Sequence, residues 1–480
     1  MLNLIQEEDH HTRILAAGLE QDAVKQWLDE AAVIDPALTA DGRNLEQDAG
    51  ITGALIKQGW SFCNSLPLKS KRNPAELAAG DSLVQLITSI GRKFCRLHRE
   101  EIYRKLTGDY SRFLRVDELA WKAAELWPDI MPTKKEIEQD QERMQKDKDG
   151  LELLQGIFFS QLLAEPKSGI HLLHAMLRPK PESIDLLQTF RRHGVLALEY
   201  AGVTEKQGAG YIELTNNRFL NAEDDTTIVD QETAVDLVLL HPDIHIGVLR
   251  GGRVEHPRYQ GRRVFSSGIN LTRIYYGKLP YLFYLIRDFG MVNKIYYGLA
   301  GDIWEEDEPG NTLEKLWLAA VESFAIGGGC QLLLVMDYVI AEAGSYFNLP
   351  ARKEGIIPGA ANLRLSRFLG ERLARQAIMF DKIFHVESQE AAGLINEVVP
   401  GEQMDEAIQR NIDNALGSGM VSAAGNRKAL RVQQETLEIY RRYMAGYAAI
   451  QAQCHCSSQL THNLEVYWKA KEKKLCGMSA

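Results

Sequence analysis

The residues best placed to do chemistry in this 480-residue chain are three consecutive glycines, Gly327-Gly328-Gly329, between an apolar strand-like run and an apolar helix-like run. Glycine has no Cβ, so a ligand can come close to the backbone. The helix that follows offers N–H groups without intrahelical partners and the positive end of its dipole. Such a place suits phosphate, or the oxyanion that develops on a carbonyl oxygen during reaction. The tripeptide is equally compatible with a tight turn that closes strand against helix. It is not a Walker loop, because no Gly-Lys-Ser/Thr follows, and the glycine spacing is not that of a dinucleotide fingerprint. A second small-residue turn, Ser266-Ser267-Gly268, follows Val264-Phe265 and leads into Ile269-Asn270-Leu271. Two turns of this kind can each give one N–H to a single carbonyl oxygen.

These turns need strands and helices to hold them, and the chain changes character near residue 195. Before that point the pattern is helical. Leu83, Leu86, Ile87, Ile90, Phe94 and Leu97 recur at helical spacing between Asp81 and Lys105. Leu151 to Leu163 and Ile170 to Leu177 are further apolar helices, and Ser183 is placed to cap one after Pro179 and Pro181. Lys134 to Asp149 carries dense charge of both signs and reads as a solvated helix or loop. No segment of residues 1–195 has the spacing of a catalytic motif. After residue 195 strands and helices alternate, which indicates an α/β arrangement. Tyr211–Leu214, Ile244–Leu249, Ala319–Ile326 and Tyr338–Ala341 read as strands; Leu271 to Phe289 and Cys330 to Met336 read as helices. The expected organisation is a helical domain over 1–195 and an α/β catalytic domain over 196–480.

Composition limits the function classes. Hydrophobic residues at 45% and charged residues at 25% describe an ordinary globular chain rather than a disordered one. A net charge of −10 disfavours nucleic-acid binding. No apolar run approaches the ~20 residues that span a bilayer. The opening MLNLIQEEDHH lacks the basic and apolar regions of a signal peptide, and six cysteines in so long a chain are no disulfide scaffold, so a cytoplasmic protein is expected.

Four stretches carry a family resemblance: VFSSGINL at 264–271, FAIGGGCQLLLVMDYVIA at 324–341, LPARKEGIIPGAANLRLSR at 349–367 and EAAGLINEVV at 390–399. In this order they resemble the crotonase (enoyl-CoA hydratase/isomerase) superfamily. The resemblance implies a crotonase-like α/β core of strand-strand-helix units. It also implies an oxyanion hole for an acyl-CoA thioester, made by the backbone N–H groups of Ile269 and Gly328. The hydratases of that superfamily use two glutamates; here Gln331 and Ala351 stand at those positions. Neither is a general acid or base, so ordinary hydratase chemistry is not expected. Glu354 lies about one helical turn beyond Ala351 and could substitute for the missing acid, but it reads more readily as a structural carboxylate beside Arg352 and Lys353.

The stretches LNAEDDTTIVDQETAVDLVLLHPDIHIGVLRGG at 220–252 and HPRYQGRRVFSSGINL at 256–271 extend the likeness, which continues through VESFAIGGGCQLLLV at 321–335 to RRYMAGYA at 441–448. They resemble the superfamily's cofactor-independent dioxygenase branch, which acts on 3,5-dihydroxyphenylacetyl-CoA in glycopeptide-antibiotic biosynthesis and also carries a helical N-terminal region. The resemblance implies an arylacetyl-CoA substrate, O2 as cosubstrate, products arylglyoxylate and free CoA, and no metal, flavin or haem. It implies that Glu223, Arg287 and Gln331 meet the ring hydroxyls. On the residues alone, Glu223 is as readily an exposed turn acid and Arg287 a surface arginine beside Asp288.

For the CoA phosphates, Arg258, Arg262, Arg263, Arg427 and Lys428 are the expected partners, because the guanidinium fork binds two oxygens. Cys454-His455-Cys456 is spaced too tightly for the usual zinc pair, and it and His10-His11 are read as incidental. The superfamily commonly forms trimers and hexamers, and Tyr467 and Trp468 would suit a contact between subunits. Other crotonase reactions, such as thioester hydrolysis or isomerisation, and non-catalytic acyl-CoA binding are the alternatives.

Overall fold

A computed structural model describes residues 10–38, 44–304, 311–417 and 419–472. The acidic residues 1–9, on which the expectation about a signal peptide rested, lie outside the described residues. Contacts group the chain into two units. One comprises Met1–Leu172, Thr272–Leu282 and Met444–Ala480; the other comprises Leu173–Leu271 and Phe283–Tyr443. This grouping is not linear in sequence: the C-terminal segment counts with the N-terminal helices. Among the described residues no helix is long and apolar enough to cross a membrane.

The first unit is helical. Its longest helix, Pro74–Thr107, starts where Asn73 and Glu76 form a reciprocal cap around Pro74 and stops at Gly108 with φ 61°. Leu83, Ile87, Ile90 and Phe94 are buried as their spacing predicts, whereas Leu97 faces solvent. Two buried pairs tie its helices together: Trp27 Nε1 donates to Leu55 O at 2.9 Å, and His98 Nε2 meets Asp48 Oδ2 at 2.8 Å. The charged stretch 134–149 is only partly solvated. Gln145 and Lys148 are buried, and Gln145 Nε2 donates to His455 O at 2.7 Å.

The second unit is built on a seven-stranded sheet of β1 (Val195–Ala197), β2 (Ala201–Lys206), β3 (Ala209–Leu214), β4 (Ile246–Gly251), β5 (Leu316–Val321), β6 (Tyr338–Glu342) and β7 (Glu397–Val399), in that spatial order. The first two pairings are antiparallel and the rest parallel. Strands buried on both faces need apolar residues at successive positions, and β5 is LWLAAV, almost wholly buried. On one face Ile246, Val248, Leu318, Ala320 and Ile340 pack against Met404, Ala407, Ile408 and Ile412 of the helix Met404–Leu416. Gly247 pairs directly with Trp317 across β4 and β5, and a Cβ at 247 would overlap the indole ring. The glycine makes room for the largest side chain of the sheet.

Two expected elements divide and a third shifts. The strand expected over 319–326 is two strands, because the backbone turns at Ser323 with φ 64°. Phe324–Ile326 then joins a second sheet beside Tyr346–Asn348 and Phe384–His385. The helix expected over 271–289 is interrupted around Gly277 and Pro280 and resumes as Leu282–Arg287 followed by a π-turn, Asp288–Val292. The helix expected over 330–336 spans Gly328–Leu333. Ser183 is not a cap: Pro181 starts that helix, and Ser183 Oγ donates to buried Asp236 at 2.9 Å.

Gly247→Val forces the Trp317 indole aside. Overpacking of this kind costs about 1–3 kcal/mol, and thermal unfolding should show a lower midpoint; an unchanged midpoint would mean the ring can move freely.

Candidate active site

The two glycine-containing turns meet. Ser266 bridges to Ala325 in parallel register, with Ile326 N–H donating to Ser266 O at 3.0 Å. This pairing sets Gly268 against the start of the glycine triplet. Gly268 has φ 82°, and a Cβ there would lie 2.7 Å from Ile326 O and 2.8 Å from Gly328 N. The position therefore demands glycine both for its backbone and for the space.

Ile269 is held in extended form by a bridge to Glu223. Glu223 N–H donates to Gly268 O and Asn270 N–H donates to Glu223 O, both at 2.8 Å. That pattern uses the neighbours of Ile269 and turns its own N–H away from Glu223. Among the described residues neither the Ile269 N–H nor the Gly328 N–H has an acceptor. The helix after the glycines has six residues. A macrodipole of that length adds little, so the donors themselves, rather than the dipole, are what the turn offers.

Arg287 sits beneath these turns and is buried. Its Nε donates to Glu223 Oε2 at 2.9 Å, Nη1 to Asp288 Oδ1 at 2.9 Å and Gln331 Oε1 at 3.0 Å, and Nη2 to Gly328 O at 2.9 Å. The π-turn that begins at Asp288 reorients the backbone so that successive residues, 287 and 288, share one cluster; such bulges recur at functional sites. A Cβ at Gly328 would overlap Glu223 Oε2, so this glycine also admits the carboxylate. The structure thus brings Glu223, Arg287 and Gln331 together beside Gly328, and Ile269 is tied to Glu223 by the bridge.

Asp288 is a member of this cluster that the sequence reading treated only as a neighbour. Its signal was available: an arginine followed by an acid in an otherwise apolar helix. One guanidinium now faces two buried carboxylates. Burial pushes the carboxyls of Glu223 and Asp288 above their usual range, against the lowering by Arg287. Glu223 Oε1 and Asp288 Oδ2 are buried and accept no hydrogen bond among the described residues. Such oxygens are acceptors awaiting a donor. Asp288 is supported from behind by Tyr440, whose OH donates to Asp288 O at 3.2 Å. Arg364, stacked on Tyr296 and Tyr440, pairs with Glu435 in the same layer. Leu332, Leu333, Leu334 and Val335 are buried core.

The basic residues expected at CoA do not form one cluster. Arg258 and Arg262 are exposed, and Arg262 pairs with Glu342 at 3.7 Å. Arg263 donates to Gly251 O at 3.0 Å and pairs with Glu213. Arg427 is buried between Asp337 and Glu314, and Lys428 donates to Thr312 O at 2.6 Å. Arg427 is thereby neutralised inside the unit, and Arg258 and Arg262 present their charge to solvent. His455 lies in the helix Leu437–His455, 3.4 Å from Glu152. Among the described residues no group of three or more His, Cys, Asp or Glu is arranged to hold a metal ion.

Residues 301–455 match the family model described as enoyl-CoA hydratase/isomerase. The chain is 44% identical over 421 residues to a (3,5-dihydroxyphenyl)acetyl-CoA 1,2-dioxygenase of Amycolatopsis orientalis, spanning 86% of this chain and 95% of that relative. It is 23% identical to a crotonyl-CoA hydratase of Syntrophomonas wolfei over 50% of this chain and 85% of the relative. Among solved structures, an enoyl-CoA hydratase/isomerase from Xanthobacter autotrophicus is 20% identical, with a TM-score of 0.47 over 57% of this chain and 94% of that one.

Arg287→Met leaves Glu223 and Asp288 buried without their cation, a loss of about 3–5 kcal/mol. The damage should be greater at pH 8 than at pH 5. A carboxyl whose folded pKa is raised weakens the fold as it ionises, and protonation relieves that. Denaturant unfolding of the variant at the two pH values checks both the size and the sign.

Proposed function

This chain belongs to the enoyl-CoA hydratase/isomerase family, and on that premise we propose that it is an oxidoreductase: a dioxygenase that converts an arylacetyl-CoA, 3,5-dihydroxyphenylacetyl-CoA, with O2 into the arylglyoxylate and free CoA. The observation that carries this reading is the 44% identity across 95% of the Amycolatopsis dioxygenase. The site agrees with it chemically. Hydration of a double bond needs a positioned acid or base; Gln331 and Ala351 provide none at the hydratase positions.

In this reading the thioester oxygen lies between the N–H groups of Ile269 and Gly328. Loss of an α proton moves the C–H pair into an enolate, whose negative oxygen those donors stabilise. The ring hydroxyls donate to Glu223 Oε1 and Asp288 Oδ2, which accept no other hydrogen bond among the described residues, while Gln331 and Arg287 hold that end of the ring. The electron-rich enolate reduces O2 and forms a C–O bond at the α carbon. The distal peroxide oxygen then attacks the thioester carbon and expels the CoA thiolate. Cleavage of the O–O bond with loss of the second α hydrogen leaves the 2-oxo acid. Both oxygen atoms of O2 remain in the product, and every electron comes from the substrate, so the reading calls for no metal, flavin or haem.

The reading places this chemistry in residues 196–480. Of the basic residues, Arg258, Arg262 and Arg263 remain its partners for the CoA phosphates. It takes the protein to be cytoplasmic and a homotrimer or homohexamer; the exposed Tyr467 and Trp468 at the end of the helix Ser458–Tyr467 would suit a subunit contact.

Mixing the metal-stripped protein with 3,5-dihydroxyphenylacetyl-CoA should give oxygen uptake matched to CoA release, unaffected by chelator and stopped without air. CoA release without oxygen uptake would instead identify a thioester hydrolase on this fold.

Glu223→Gln should weaken use of the dihydroxy substrate. A hydrogen bond to a charged group contributes about 1.5–3 kcal/mol, so kcat/KM should fall by about 10–100-fold, with a much smaller fall for phenylacetyl-CoA, which has no hydroxyl to place. Equal losses on the two substrates would remove Glu223 from ring recognition.

A further inference from the structure

Oxyanion stabilisation alone does not remove an α proton; a base must stand beside the α carbon. That carbon lies one bond beyond the carbonyl carbon, within a few ångströms of the Ile269 and Gly328 donors. Glu223 is poorly suited, because Arg287 binds its Oε2 and holds it at the ring end. Asp288 shares the same arginine.

A third carboxylate lies at the other side of the turn. Both oxygens of Glu354 are 3.9 Å from the point where a Cβ of Gly327 would stand. Gly327 immediately precedes the Gly328 donor, so this carboxylate borders the cleft where the two turns meet. Glu354 is the last residue of the one-turn helix Ala351–Glu354. Residues three apart on a helix share a face. Glu354 therefore rises from the same face as Ala351, the position at which the hydratase resemblance would have a glutamate. The basic residues expected to hold it are engaged elsewhere: Lys353 pairs with Asp381, and Arg352 donates to Met379 O at 3.0 Å. Among the described residues Glu354 forms no side-chain hydrogen bond or ion pair. The structural role expected for it is thus not what the geometry displays.

We propose that Glu354 is the catalytic base that takes the α proton of the acyl-CoA substrate. This rests on the acyl-CoA enolate reading above. The α C–H bond breaks, its proton passes to the Glu354 carboxylate, and its electron pair forms the enolate double bond as the carbonyl pair moves onto the oxygen held by Ile269 and Gly328. The proton then leaves with the departing CoA thiolate. The electrostatics are those of a base at neutral pH. Surrounding protein withdraws water from the carboxylate and pushes its pKa up to about 7, with the negative charge of Asp381, at the end of the helix Ala361–Phe380, adding to the rise. Lys353, paired with Asp381, is the other charged group at that end. The same segment also reaches the ring end of the site: a Cβ at Gly359 would lie 2.5 Å from both Asp288 Oδ2 and Gln331 Oε1. One loop, 349–360, thus borders the reacting carbon and the ring.

The test isolates proton transfer from oxygen chemistry. 3,5-Dihydroxyphenylacetyl-CoA deuterated at the α carbon is incubated with the protein without air, and loss of deuterium to water is followed by mass spectrometry. The wild type should wash out deuterium at a rate that rises with pH through about 7. Glu354→Gln should slow washout by at least about 100-fold and abolish that pH limb, with substrate affinity and the thermal midpoint unchanged. Glu354→Asp should restore part of the rate. A Glu354→Gln variant that exchanges at the wild-type rate, or retains the limb, overturns the proposal. A wild type that washes out deuterium through Glu354 yet consumes no oxygen in air supports the base and overturns the dioxygenase reading alone.

Discussion

The guanidinium of Arg287 is the interaction on which the site depends. It is buried, and a buried charge is costly unless its partners are close and geometrically good. Here the donors are spent on Glu223, Asp288, Gln331 and the Gly328 carbonyl, all within 3.0 Å. Those four groups come from different parts of the chain. A loop before the helix Ile228–Leu240 gives Glu223, the π-turn gives Asp288, and the short helix after the glycines gives Gly328 and Gln331. The arginine therefore fixes relative positions that no single element fixes. Two carboxylates share one cation, and among the described residues an oxygen of each, Glu223 Oε1 and Asp288 Oδ2, accepts no hydrogen bond. An interior optimised for stability alone would satisfy them. Leaving them open is the cost of being able to receive hydroxyl donors.

The glycine turns are positioned by a separate constraint, the departure of one strand from its sheet. β5 lies in the centre of the seven-stranded sheet, and Ser323, at φ 64°, turns the chain out of it. A non-glycine residue in that region is strained and persists only where neighbours hold it. Ser323 is held: its N–H donates to Glu342 Oε2 at 3.1 Å and its Oγ to Arg263 O at 2.7 Å. Glu322 beside it is gripped twice by Arg250, at 2.8 and 2.6 Å. The result is that Phe324–Ile326 runs beside the 264–268 segment rather than beside β6. That parallel contact is what places Gly268 against Gly328. Arg263 thereby helps form the turn, a structural task that the sequence reading, looking for phosphate partners, had no means of seeing.

What was legible beforehand follows from the range of the interactions. Ile269 and Gly328 as donors came from the family resemblance, whereas the two turns themselves were readable because glycines and small residues before a helix are local signals. The alternation of strands and helices after residue 195 was readable for the same reason. The grouping of Glu223, Arg287 and Gln331 came from resemblance, since 64 and 44 residues separate the arginine from its two partners. The breaks at Ser323 and Pro280 carried local signals that the expected elements ran across, Glu322-Ser323 in the first and Gly277 with Pro280 in the second. Arg427 was expected at the CoA phosphates; only the fold shows Asp337 and Glu314 closing on it. Asp288 was visible as a residue, but its burial beside one arginine shared with Glu223 depends on a π-turn, for which the sequence carries no local signal.

The placement of acids around the cleft sorts them by task. Glu223 and Asp288 are bound to the Arg287 cation, and in the proposed reading they hold a ring by its hydroxyls rather than accept a proton in the reaction. Glu354 has no such partner among the described residues, and its carboxylate lies by the turn that would hold the thioester oxygen. An acid is made a base by isolation and a hydrogen-bond acceptor by pairing. In the hydratases that this family resembles, the acids stand at the positions of Gln331 and Ala351, where they can deliver water. In the proposed reading a free carboxylate one helical turn along and an amide tied to Arg287 take the places of the two hydratase acids, and the means of forming an enolate is kept. The enolate of that reading forms where neither hydratase acid is present to activate water, and its electrons are available to O2. In that reading the change from hydratase-like to oxygenase-like behaviour is located at Gln331 and Ala351.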